Sequence, residues 1–488
     1  MAALLAVAAV LVERPRLRGL ATAGALVLTP VLLLAEIWDT EQFDVLRDHP
    51  AAAMAGGGVA LVGLVALAAL MARHPQLLPL LAFAALPFRV PIEAAGQTAN
   101  LLVPLYGVIG AGALARLPAL FAERVPRGTR ERPDGPLAAV LLGFVALYAL
   151  QSIYADDFEI AVQQVVFFYV PFALLFGLLI RLEWDMQLLK RCAAIVVALA
   201  LIFALIGFVE YATRTLLLNP KVIASNAFGS YFRVNSLFFD PNIYGRFLAV
   251  VMLVVASAVA WSTKRRDVAI LSAVLAVLWA ALVLTFSQSS FAALLAGLTV
   301  LGALRWDVRR IAVIAGAIVA AGALVLVAAL AVRGDLPSAR DANRATVGRS
   351  NLVEGGLELW ADRPLHGYGS GSFQSEYREQ EDLQRPTAVT ASHTTPVTVA
   401  AEQGVIGLAI YAALLVIALQ ALLRHARGSV ARAALGAAFA ALVVHTMVYA
   451  AFLEDPTTWV LLAAGAALAA QSSSRVSSSS SATSRNAV

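Results

Sequence analysis

Apolar residues in this chain come in long unbroken runs separated by short polar loops, not at alternating positions or along a single helical stripe. Runs of roughly 18 or more residues with almost no charge predict membrane-spanning helices, because about 30 Å of hydrocarbon needs about 20 helical residues. Apolar runs of this kind, the shortest being 290–304 and 459–470, occupy 19–38, 51–72, 137–153, 160–180, 193–212, 243–261, 268–284, 290–304, 311–332, 397–423, 431–450 and 459–470. Two shorter runs, 77–88 and 101–115, flank Arg89 and Glu93 and predict either two spans or two half-helices meeting at a re-entrant turn. The expected fold is all-α, a polytopic helical membrane protein with about 12–14 transmembrane helices. Residues 1–12 are too short to span and are read as an interfacial or misassigned start.

Composition agrees with that class. Hydrophobic residues make up 60% and charged residues 14% of the chain, against about 45–50% and about 25% in soluble domains. The net charge of +5 does not indicate nucleic acid, because the basic residues fall in short loops between apolar runs. The single cysteine, Cys192, excludes an intrachain disulfide and a cysteine metal cluster. Nor is there an Asp-x-Asp motif or a histidine cluster, so the expectation is no metal and no cofactor.

The loops alternate in basic content. Residues 14–18, 116–132, 190–191, 264–266, 305–310 and 424–432 carry Arg or Lys; the intervening loops carry Asp, Glu or Ser. The positive-inside rule therefore predicts a multi-pass protein of the cytoplasmic membrane with both termini cytoplasmic. The expected organisation is N-terminal spans in 1–136, central spans in 137–332 with an outer loop at 213–242, a large extracytoplasmic loop with short helices at 333–396, and C-terminal spans in 397–470. The Ser-rich tail, 471–488, is expected to be disordered.

Polar chemistry gathers in the two outer loops. In the larger, 347–362 predicts a helix with Leu352, Val353, Leu357 and Trp360 along one face, ended by Pro364. The run Gly367-Tyr368-Gly369-Ser370-Gly371 is either a plain turn or a place where backbone amides approach an anion. His393 precedes a helix entry, with Thr395 as cap and Pro396 in the first turn. On its own it is an incidental loop histidine, but Glu402 lies about two turns deeper in the following span. The smaller loop contributes Arg233, Asp240-Pro241-Asn242 and Arg246. An arginine at the start of an apolar span must snorkel, pair or face an anion; for Arg246 the alternatives are an anionic ligand or pairing with Asp240 or Glu402. Arg89 belongs to the same class of near-membrane arginine. Guanidinium forks suit phosphate oxygens.

Arg349, Trp360, the run Pro364-Leu365-x-Gly367-x-Gly369-x-Gly371-x-Phe373, His393 and Glu402-Gln403-Gly404-x-x-Gly407-Leu408 together resemble the signature region of the O-antigen ligase and O-antigen polymerase superfamily. Arg233, Ser236, Asp240-Pro241-Asn242 and Gly245 resemble that superfamily's preceding outer-loop motif, and the likeness in layout covers 137–423. Two positions depart from it. Thr394 follows His393 where Asn is usual, and Gln288 stands where the short Ser/Arg segment has Arg, which leaves the acceptor open.

The resemblance implies a membrane-embedded, metal-independent glycosyltransferase with a polyprenyl-diphosphate-linked glycan as donor and a glycan or glycolipid as acceptor. It implies that Arg233, Arg246 and Arg89 bind the diphosphate. His393 and Arg349 would then sit nearest the chemistry, with Glu402, Asp240, Asn242, Gly369 and Gly371 in support. A polymerase with the same donor is an alternative. A transporter or flippase of lipid-linked saccharide is another, though no internal repeat of the kind common in transporters is evident. A non-catalytic scaffold is a third.

Overall fold

The structure is a computed structural model that describes residues 1–40, 43–94, 97–124, 129, 135–218, 232–306, 309, 349–381 and 392–485. The expected span at 311–332 lies outside the described residues. From the N-terminus the helices are α1 (Ala2–Leu11), α2 (Pro15–Ile37), α3 (Asp44–Asp48), α4 (Pro50–Arg73) and α5 (Leu77–Ala85). An antiparallel hairpin follows, β1 (Val90–Ala94) and β2 (Gln97–Leu101), with Val90 opposite Leu101. Next come α6 (Val103–Phe121), α7 (Pro136–Gln151), α8 (Phe158–Gln164), α9 (Val170–Leu179) and α10 (Met186–Thr213). The chain continues through α11 (Pro241–Trp261), α12 (Arg265–Thr285), α13 (Gln288–Arg305), α14 (Arg349–Asp362) and α15 (Phe373–Gln380). It closes with α16 (Thr395–Leu423), α17 (Val430–Thr446) and α18 (Pro456–Arg485).

The protein is a polytopic helical membrane protein. Ten helices among the described residues are long and apolar enough to cross a membrane, and α17 is a shorter apolar helix. One of the ten, Phe158–Leu179, joins α8 to α9 through a π-helical turn at Val165–Tyr169. Side chains form two main cores. One unites α1, α6, α7, α9, α16 and α18; the other unites α10 to α13, and α17 contributes to both.

Of the two readings left open for the 101–115 run, the structure has the span: α6 extends it to Phe121 over 19 residues, and a β-hairpin connects it to α5. In segment 1–12, Ala2, Ala3, Ala6 and Ala9 form a narrow buried face that packs on α2, α7 and α9, while Leu4 and Leu11 are exposed. In α14 the buried side chain is Leu359, and Leu357 is 45% exposed. Helix α18 runs from Pro456 to Arg485.

Candidate active site

At one end of the bundle two arginines meet one carboxylate. Arg246, in the second turn of α11 and 3% exposed, has Nη2 2.7 Å from Asp455 Oδ2 and donates from Nη1 to Ala451 O at 2.8 Å. Arg89 Nη2 lies 3.6 Å from the same Oδ2. The other oxygen, Oδ1, accepts from Thr457 N at 2.8 Å and so caps α18. Asp240 caps α11 in the same way, accepting from Asn242 N at 2.6 Å and Ile243 N at 3.3 Å. Burial raises the Asp455 carboxyl, but Arg246 and Arg89 outweigh it and hold the group below its usual range. Burial wins at the neighbouring Glu454, which is pushed above the usual carboxylate range. Adjacent carboxylates are thereby split into a charged one and one that takes up a proton more readily.

The Gly-rich run is a docked strand, not a free anion cradle. α16 breaks at Gly404 (φ 63°, ψ −163°), and the exposed backbone groups of the break bond to the run. Val405 N donates to Pro364 O at 2.8 Å, Tyr368 N to Ala401 O at 3.1 Å, and Gly369 N to Glu402 O at 2.8 Å. Phe373 N donates to Glu402 Oε1 at 3.3 Å. A side chain at Gly404 would start 2.4 Å from the Leu365 carbonyl carbon, and one at Gly369 would start 2.4 Å from Ala155 Cα. Glycine is required at both, since each also has positive φ. The amides expected to face an anion are engaged within the protein.

His393 lies just before α16, in a left-handed backbone conformation (φ 57°) that costs strain in a non-glycine residue. The cap is Thr394 rather than Thr395. Ser392 Oγ accepts from Thr394 N at 3.1 Å, which holds the turn. The His393 ring is 5.8 Å from the Tyr449 ring, and Tyr449 is 5.5 Å from His445. His445, fully buried, has Nε2 3.2 Å from Ser289 Oγ and 3.4 Å from Ser290 Oγ. A cavity of about 360 Å³ is lined by Arg89, His393, Glu402, Tyr449 and Glu454.

Of the expected site residues, the structure brings Arg89, His393 and Glu402 to one cavity and joins Arg246 to Arg89 through Asp455. Neither Asp240 nor Glu402 is the partner of Arg246; Asp455 is. Arg233 is held apart from that ion pair. Its Nη2 donates to Asn242 Oδ1 at 3.1 Å and its Nε to Thr285 O at 2.9 Å. Arg349 opens α14, and its side chain lies outside the described residues. Asp455, Glu454, Tyr449 and His445 were missed by sequence reasoning. A usable signal existed for Asp455: Asp455-Pro456 repeats the capping pair Asp240-Pro241 at another helix entry.

These features define a multi-pass membrane protein with a polar cavity beside a buried arginine pair. Residues 273–412 match the family model described as O-antigen ligase. That stretch of the chain is similar to the O-antigen ligase family. No curated protein matches the chain. The matched stretch contains Arg349, the Gly-rich run, His393 and Glu402, whereas Arg89, Arg246 and Asp455 lie outside it.

Proposed function

We propose that the chain is a metal-independent glycosyltransferase of O-antigen ligase type, which moves a glycan from a polyprenyl-diphosphate carrier to an acceptor sugar hydroxyl. The reading rests on one observation above the rest: Arg89 and His393 line the same cavity, with Arg246 joined to Arg89 through Asp455. The acceptor oxygen attacks the anomeric carbon as the bond to the diphosphate oxygen breaks, and the electron pair leaves on the diphosphate. His393 takes the hydroxyl proton, as an imidazole titrating near neutral pH can. Arg89 and Arg246 stabilise the charge that develops on the leaving group, and Arg349 joins His393 nearest the chemistry, while Arg233 braces the α11 entry through Asn242. Glu402, Gly369 and Gly371 keep the loop docked, while Asp240 and Asn242 shape the α11 entry beside Arg246.

The same reading puts the reaction on the outer face of the cytoplasmic membrane. The basic residues Arg16, Arg116 and Arg305 lie at other helix ends, and the positive-inside rule assigns those to the cytoplasm. The test is to incubate purified protein with a polyprenyl-diphosphate-linked oligosaccharide and candidate acceptors, with and without EDTA, and to identify products by mass spectrometry. Glycosylated acceptor and free polyprenyl diphosphate in equal amounts are expected, unaffected by EDTA. Intact donor with every acceptor overturns the reading, and chain extension of the donor itself moves it to a polymerase.

A further inference from the structure

A second large cavity, of about 1050 Å³, opens where α16 ends, α17 and α7 begin and α18 passes. Thr395, Thr398 and Val399, at the start of α16, line the candidate active site, whereas Ile417, Leu423 and Arg424, at its end, line this one. About 40 Å of helix lies between them at 1.5 Å per residue.

The charge around this cavity is of one sign. Arg432, 6% exposed, ties α17 to α16 by donating from Nη2 to Ala421 O at 3.3 Å and to Arg424 O. That contact also covers the carbonyl end of α16, whose dipole would otherwise repel an anion. The Arg424 guanidinium is near enough for the two like charges to repel, and Arg424 and His425 stand exposed on the rim. The first turn of α7 adds a further positive element. Gly135, Pro136 and Leu137 line the cavity, and among the described residues no side chain caps that helix. Its first amides lack intrahelical partners and carry the positive end of the dipole, a setting that suits a phosphate. Gln420 is the remaining polar side chain; the rest of the described lining is Gly, Pro, Ala, Leu and Ile, with no carboxylate.

The apolar walls run deeper than the cations. Ile417 lies about 10 Å along α16 from Arg424, and on α18 Ala466, Ala469 and Ala470 keep the facing wall free of bulk. A free phosphate would leave those walls against water, and an uncharged lipid would leave the guanidinium repulsion unrelieved. An amphiphile with an anionic head and a hydrocarbon chain meets both. We propose that the cavity holds one anionic phospholipid. Its phosphate sits between Arg424, His425 and the start of α7, with the Arg432 charge behind it, and an acyl chain lies along Ile417 and the α18 alanines. Basic pockets between membrane helices hold such head groups. The site stands apart from the glycosyl-transfer reading.

Photolabelling of the full-length protein in phosphatidylcholine nanodiscs tests it. Trace phosphatidylglycerol with a photoreactive acyl chain is compared with phosphatidylcholine carrying the same chain, and labelled peptides are mapped by mass spectrometry. The phosphatidylglycerol probe should label 417–423 and 466–470 about tenfold more strongly. Unlabelled phosphatidylglycerol should suppress that labelling, and neither inorganic phosphate nor farnesyl diphosphate, a short analogue of the donor carrier, should do so. Arg424→Gln combined with His425→Gln should bring it down to the phosphatidylcholine level. Equal labelling of the wild type by the two lipids overturns the site, as does a preference that survives the double variant. Displacement by inorganic phosphate would make it a free-anion site, and displacement by farnesyl diphosphate a carrier site; either overturns the phospholipid assignment. The wild-type comparison holds even if the variant does not fold. Labelling requires no turnover, so failure of the transferase reading leaves its outcome untouched.

Discussion

Arginine is used in two ways in this protein, at helix ends that carry the basic loops and at the cavity. Near the basic loops, guanidinium groups end on backbone carbonyls. Arg116 Nη2 donates to Leu178 O at 2.7 Å, Arg181 Nη2 to Val10 O at 2.5 Å, and Arg305 Nε to Ala260 O at 2.9 Å. Each acceptor lies in the last turn of a helix, where carbonyls lack intrahelical partners and the dipole favours a cation. Beside the cavity, Arg89 and Arg246 share one carboxylate, and Arg246 also donates to the Ala451 carbonyl. An arginine bound to carbonyls is a fastening. One bound to a mobile-charge partner beside open space can exchange part of that contact for a ligand's anion. The difference separates two meanings of arginine that look alike in the sequence.

The largest expected effect concerns the group nearest the chemistry. His393→Ala should cut glycosyl transfer about 10²–10⁴-fold while leaving farnesyl diphosphate binding in place, because the arginines remain. Turnover per folded molecule, measured alongside donor binding, checks this; near-normal turnover removes the histidine from the mechanism.

Next comes the shared carboxylate. Asp455→Asn leaves two buried guanidinium groups facing each other and also weakens the α18 cap. Breaking a buried pair from one side costs about 3–5 kcal/mol, so the melting temperature should drop markedly. Added inorganic pyrophosphate should restore part of it by supplying the lost negative charge. Pyrophosphate that stabilises the wild type and the variant equally would count against an anion site at these arginines.

A paired substitution sharpens the comparison directly. Arg89→Lys keeps charge but loses the fork and should slow transfer about tenfold, an effect of about 1.4 kcal/mol. Arg116→Lys should leave turnover per folded molecule unchanged and lower only thermal stability. Equal losses of turnover in both variants would erase the distinction between the two ends.

The smallest effect lies in the loop before α16, where α14 and α15 pack on α16. Burial, with Asp156 and Glu379 nearby, raises the Glu376 carboxyl to about 7. Its folded-state value lies above the unfolded one, so folding favours the protonated form. That stabilisation is complete below about 4.5, the unperturbed value, and is lost as the pH rises through about 7. Hydrogen exchange in α15 should therefore slow as the pH falls from 8 to 5, after correction for intrinsic rates. Glu376→Gln should abolish the trend, and a trend unchanged in the variant would assign it to another group.

The site was only partly legible beforehand. Arg246 and Arg89 stood out because charge near a span is costly and demands a reason. Asp455 did not, since an acidic residue in an outer loop needs none until its neighbours are known. Glu402 was visible for being charged within an apolar run, yet its partners, Phe373 N and the glycines before it, depend on a break at Gly404. No local pattern announces that break, because glycine is common in membrane helices for other reasons.

The sequence alone determined the membrane class, most of the span positions and the sorting of basic from acidic loops. Those follow from the cost of placing charge or unbonded backbone in hydrocarbon, which acts on each segment separately. Tertiary structure decided that residues as distant as Arg89, Arg246, His393 and Asp455 meet at one end of the bundle. It also made the Gly-rich run a docked strand and buried one face of the first helix. Those outcomes depend on which apolar faces fit one another, a property of pairs of helices and not of any single segment.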